Sequence, residues 1–147
     1  MAILTTDILI EGIRRDDVFT WLSDVANHER ILTGAFDGME RKAAGEFDLV
    51  LKVPPRPHHM GYKFLRPDDS HGGRRVLCET SGKRTRGDLH YSLRTMKPST
   101  NTLVTLRIDY DPGSILGPIF NNAVLSKRLD ACLVRVLENM KREISAG

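Results

Sequence analysis

At 147 residues, with 40% hydrophobic and 28% charged side chains, the chain is long enough for one domain with a real core, which excludes a disordered or fibrous protein. Its net charge of +3 is modest and comes with no nucleic-acid motif, so nucleic acid is not an expected partner. No basic leader precedes a long apolar run and no segment is apolar for the length of a bilayer, so the expectation is a cytoplasmic protein.

Ile3, Leu4, Ile8, Leu9 and Ile10 predict a first strand with imperfect alternation. Asp16 and Asp17 then open a short helix, where carboxylates favour the N-terminal end, and Val18, Phe19, Leu22, Val25 and Ala26 form its inner face. Asn27 is placed as the cap of a second short helix that runs through Leu32 and stops at Gly34. Strands follow. Met39 to Ala43 is a short one, and Ala44-Gly45 supplies a tight turn. Phe47, Leu49, Leu51 and Val53 alternate with Glu46, Asp48, Val50 and Lys52 until the prolines at 54, 55 and 57. Met60, Tyr62 and Phe64 alternate up to the turn at Pro67-Asp68-Asp69. Val76, Cys78 and Thr80, then Leu89, Tyr91 and Leu93, then Val104, Leu106, Ile108 and Tyr110 mark the inward sides of three more strands. The total is about seven strands joined mainly by short turns, hence an antiparallel meander.

Pro112-Gly113 ends the last strand, and Gly117-Pro118 offers a helix start with proline at the first helical position. From there Leu129, Cys132, Leu133, Val136, Leu137, Met140 and Ile144 recur at helical spacing, while Lys127, Arg128, Arg135, Glu138 and Arg142 fall on other faces. Extending the stripe backward reaches Asn122 and Ser126, two polar residues expected to face the sheet. Phe120 and Val124 project on the opposite side, where a loop, a second copy of the chain or a membrane surface would cover them.

A helix about 10–12 Å across cannot cover a flat seven-stranded sheet roughly 30 Å wide. The sheet is therefore expected to curl around the helix, and with only 6% aromatic residues the space beside the helix is expected to remain as an apolar pocket.

The element order resembles the START-like (SRPBCC) helix-grip superfamily, which includes polyketide cyclases/dehydrases and proteins like the G subunit of carbon monoxide dehydrogenase. The resemblance spans essentially the whole chain, 1–147, as a single ligand-binding domain. Its local marks are Val18-Phe19-Thr20-Trp21-Leu22-Ser23-Asp24 with Asn27 following, and Asp111-Pro112-Gly113 ahead of the long helix. Many relatives carry a tryptophan shortly after this region where the chain has Ile31-Leu32, so no ligand role is carried over there. The resemblance implies an α+β helix-grip fold: a curved antiparallel sheet around one long C-terminal helix, with two short helices after the first strand. It also implies a protein that binds a hydrophobic molecule, sometimes as an enzyme.

On this reading the ligand lies between sheet and helix. The sheet contributes Phe47, Leu49 and Leu51, then Tyr62 and Phe64, then Tyr91 and Leu93, then Leu106, Ile108 and Tyr110. The helix contributes Asn122, Ser126 and Leu129. The three tyrosine hydroxyls are what a cyclase would use to assist enolisation, with core packing as the plainer role. No nucleophile elbow, phosphate loop, zinc signature or dinucleotide fingerprint occurs, so no catalytic, metal or cofactor residue is assigned. His58-His59 reads as an exposed turn, since neighbours in extended chain point to opposite faces and chelate poorly. Arg74-Arg75 and the Lys83, Arg84, Arg86 cluster read as a solvated rim, and Cys78 and Cys132 as buried thiols. The leading expectation is a non-catalytic carrier or sensor of a hydrophobic small molecule or lipid. A polyketide aromatase/cyclase or dehydratase is the second. The third is a membrane-associated assembly factor, as the likeness to the carbon monoxide dehydrogenase G subunit implies.

Overall fold

The computed structural model describes residues 1–70, 74–98, 100–113 and 122–146. Strand β1 (Ala2–Ile10) leads into helices α1 (Arg15–Ser23) and α2 (Val25–Leu32). Six strands follow: β2 (Gly38–Ala43), β3 (Glu46–Leu51), β4 (His58–Asp68), β5 (Arg74–Ser81), β6 (Arg86–Met96) and β7 (Asn101–Asp111). Helix α3 (Asn122–Ala146) closes the described chain. All strand pairs are antiparallel, in the order β1-β7-β6-β5-β4-β3-β2. The sheet curves around α3, with α1 and α2 beside it.

The period-two pattern explains the sheet. In β7, Val104, Leu106, Ile108 and Tyr110 are buried and their neighbours are not; β3 does the same with Phe47, Leu49 and Leu51. A one-residue slip would turn either set outward, so burial fixes the register. The other face is wet. None of Glu46, Asp48, Lys52, Lys63, Arg75, Glu79, Arg94 and Arg107 is buried. Gly45, at φ +76°, makes the β2–β3 turn, where a side chain would also strike Val25.

Helix α3 buries Leu129, Cys132, Leu133, Val136, Leu137, Met140 and Ile144 as its spacing requires. Each such side chain contributes about 2 kcal/mol of transfer free energy, an upper bound because the unfolded chain is itself partly compact. The stripe continues backward through Leu125, which is buried, rather than through Ser126, which is half-buried. Val124 is 40% exposed. The Gly117-Pro118 start and Phe120 lie outside the described residues, as does the side chain of Asn122.

Four local expectations change. Asp24, not Asn27, caps α2: its carboxylate accepts from the Ala26 N–H at 3.1 Å. Asn27 is one turn inside and donates its amide to the Trp21 carbonyl at 2.7 Å. Strand β3 ends at Leu51, although Val53 beyond it is buried. His58 and His59 begin β4 rather than forming a turn, and β4 continues past Phe64 to Asp68 through a register shift between Phe64 and Arg66. Finally, Arg74 is no free rim charge. It reaches Asp16 and Asp69, each at 3.2 Å, and lies over the Phe19 ring, so it ties the start of β5 to α1.

Candidate ligand site

The inner sheet face and α3 bring together most of the side chains expected to meet a ligand. Phe47, Leu49, Leu51, Tyr62, Tyr91, Leu93, Leu106, Ile108, Tyr110 and Leu129 all point inward, each no more than 5% exposed. Phe64 is half-buried and packs against this core. These aliphatic and tyrosine side chains are closed to solvent, as the interior face of the sheet requires.

One polar chain crosses this apolar interior. The His28 ring, on α2, bonds the Tyr62 hydroxyl of β4 through Nδ1 at 2.7 Å and the Leu22 carbonyl through Nε2 at 2.8 Å. A carbonyl can only accept, so Nε2 carries the proton and Nδ1 is the acceptor. Tyr62 therefore donates to His28. Its oxygen in turn accepts from the Tyr91 hydroxyl at 2.8 Å and from the Cys78 thiol at 3.4 Å. The direction of the whole chain follows from one backbone carbonyl.

Burial sets the charge states. His28 is pushed down to about 4, chiefly by desolvation, with the Leu22 bond and nearby Asp24 opposing weakly. Desolvation likewise raises Tyr62 and Tyr91 well above their ordinary value of 10 and lifts the Cys78 thiol to about 12. Near neutral pH every member is uncharged. The rings pack as well: His28 meets Phe64 edge-on at 4.7 Å and Tyr91 at 5.8 Å.

Sequence reasoning placed Tyr62 and Tyr91 inward but passed over His28 and Asn139. The signal for both was position. His28 shares the inner face of α2 with Ile31 and Leu32, and Asn139 falls between Val136 and Met140 on the α3 stripe. Asn139 is buried and its amide donates to the Ile31 and Thr33 carbonyls, each at 3.0 Å, which satisfies the end of α2.

The largest of the described clefts, about 430 Å³, lies on the opposite, outer face of the sheet. It forms over Gly61, where an added Cβ would lie 2.0 Å from the Ser81 hydroxyl. Its walls carry the Asp48–His59 pair at 2.7 Å and the Glu46–Lys63 pair at 3.5 Å. Two further clefts of about 350 and 360 Å³ flank α3 at Arg135, one beside Glu138 and Arg142, the other beside the Asp37–Arg128 ion pair. The two clefts beside α3 are polar surfaces, unsuited to an apolar ligand. Among the described residues no three metal-ligating side chains converge, and no helix is long and apolar enough to cross a membrane.

The architecture is one that solved structures share. The chain matches the Zhui aromatase/cyclase from Streptomyces sp. R1128 with a TM-score of 0.68 and 13% identity, over 98% of this chain and 93% of that one. A START superfamily protein from Mycobacterium smegmatis matches with a TM-score of 0.63 and 10% identity, over 98% and 97% of the two chains. The chain has the START-like helix-grip fold. The TTHA0849 protein from Thermus thermophilus has it too, with a TM-score of 0.65 and 13% identity over 99% and 98% of the chains. At these identities the START-like likeness is one of fold. No family model matches the sequence, and no curated protein matches it significantly.

Proposed function

We propose that the protein binds a hydrophobic small molecule or lipid between the sheet and α3, without catalysing its reaction. The observation that carries this reading is the START-like fold across the full described chain, with a largely apolar inner face that holds the uncharged hydrogen-bonded group His28–Tyr62–Tyr91. Burial of ligand surface, at about 25 cal/mol per Å², supplies the driving force, less the ordering costs of association. Binding is favoured over cyclisation because the Tyr62 hydroxyl already commits its proton to His28 and the Tyr91 hydroxyl its proton to Tyr62. Val124, exposed on α3, is the described part of the surface proposed for membrane approach.

Native mass spectrometry of the purified chain, followed by organic extraction, tests the reading. An apolar adduct that organic extraction recovers is the expected result. Absence of both an adduct and saturable uptake of an apolar fluorescent probe such as anilinonaphthalene sulfonate would overturn it.

A further inference from the structure

The sheet has two edges, and they are built differently. The β2 edge is six residues long, carries Glu40, Arg41 and Lys42 exposed, and breaks register between Arg41 and Ala43. Short length, charge and a bulge are the devices that stop an edge strand from pairing with another chain. The β1 edge is neither short nor bulged, and α3 packs against the strand. Its nine residues, Ala2–Ile10, pair with β7 in nine consecutive register steps from Ala2↔Tyr110 to Ile10↔Thr102. It contains no proline, glycine, lysine or arginine, and its one charge, Asp7, is engaged by the Thr105 hydroxyl at 2.8 Å. Among the described residues no strand pairs with its other side. Ile3 is 54% and Leu9 36% exposed on the outer face, while Leu4 and Ile8 are only partly covered on the inner one.

We propose that β1 is a self-pairing surface, through which two copies of the chain join their sheets edge to edge. The strand is complementary to its own reverse. An antiparallel pair with its two-fold axis at Thr6 sets Ile3 of one copy opposite Leu9 of the other on the outer face. On the inner face Leu4 meets Ile8 and Ala2 meets Ile10. Asp7 falls opposite Thr5, so no like charges meet, and the hydroxyl can donate to the carboxylate. The two exposed apolar residues of the strand are thus each other's partners, and the pairing is isologous, as a two-fold dimer requires. A nine-residue strand is about 30 Å long. A strip of that length and one strand wide buries less than the roughly 800 Å² per partner of a standard stable interface, so the dimer is reversible and depends on concentration. A second copy fits the edge better than a foreign strand, because the pattern matches itself without a charge mismatch.

Sedimentation velocity of the full chain over a roughly hundred-fold concentration range should show a monomer–dimer equilibrium. Ile3→Lys and Leu9→Lys should each weaken it at least about tenfold while leaving the melting temperature unchanged, since both side chains are on the surface. Val124→Lys, an equally exposed change on α3, should leave it intact. Register has its own test. Residues directly opposite in an antiparallel pair lie within disulfide reach, and Cys78 and Cys132 are buried. A mixture of Ile3→Cys and Leu9→Cys proteins should therefore cross-link under mild oxidation, and neither should do so alone. A monomer at every concentration, loss of the dimer in Val124→Lys, or cross-linking of Ile3→Cys with itself would each overturn the proposal. So would a chain that stays monomeric yet takes up an extended peptide on β1.

Discussion

Two histidines in this molecule make side-chain hydrogen bonds of the same length in opposite surroundings. His28 meets Tyr62 at 2.7 Å in the core, and His59 meets Asp48 at 2.7 Å on the outer face, where its side chain is 61% exposed. Geometry alone would rank them equal. Solvent decides otherwise: water replaces the exposed partner at little cost, whereas nothing replaces a buried one.

The largest effect should come from emptying the inner site. His28→Ala removes a ring packed on Phe64 and Tyr91 and leaves the Tyr62 hydroxyl without its acceptor, a loss of about 4 kcal/mol in urea unfolding. A loss under about 1 kcal/mol would mean that the site collapses or admits water.

Acid should come next. The folded chain holds His28 down at about 4, against an ordinary 6.5, so the unfolded chain takes up the proton first. The contribution of His28 is complete above pH 6.5 and drains as pH falls from 6.5 towards 4, by about 3 kcal/mol in all. His58 and His90, also lowered by partial burial, act in the same direction. Urea midpoints measured across this range should fall steadily, and His28→Gln should flatten the slope. An unchanged slope in that variant would assign the acid sensitivity elsewhere.

Removing the outermost hydroxyl should cost less. Tyr91→Phe takes one donor from Tyr62, which keeps the Cys78 thiol, and should lower stability by about 1 kcal/mol. Smallest of all, His59→Ala should change stability by no more than about 0.5 kcal/mol. If it matches Tyr91→Phe, the outer cleft is drier than its open position suggests.

The contrast also marks what the sequence could reveal. β7 and α3 were legible because each buries one side only, so alternation or helical spacing carries the whole signal. Val104 to Tyr110 and Leu129 to Ile144 needed no tertiary information. The shift between Phe64 and Arg66 was not legible, because a bulge breaks the period on which the reading depends. The α2 cap was misplaced by three residues because Asp24 and Asn27 both suit the position and local sequence does not choose between them. His28 was passed over because its role is defined by Tyr62, 34 residues away. Whether an inward residue lines space or fills it depends on how closely sheet and helix approach, which no periodicity encodes.

The Asn139 amide also bears on the order of folding. It finishes the end of α2 by bonding the Ile31 carbonyl, 108 residues earlier in the chain. β1 likewise has only β7 as a described partner strand. Both ends of the N-terminal segment therefore wait for the last hundred residues or so to be made. Contacts at such separation cost loop-closure entropy before they return any stability, which slows the search and makes it all-or-none. A nascent chain halted before β7 should hold β1, α1 and α2 without lasting structure, its apolar sides open to chaperones until the last strand and helix emerge.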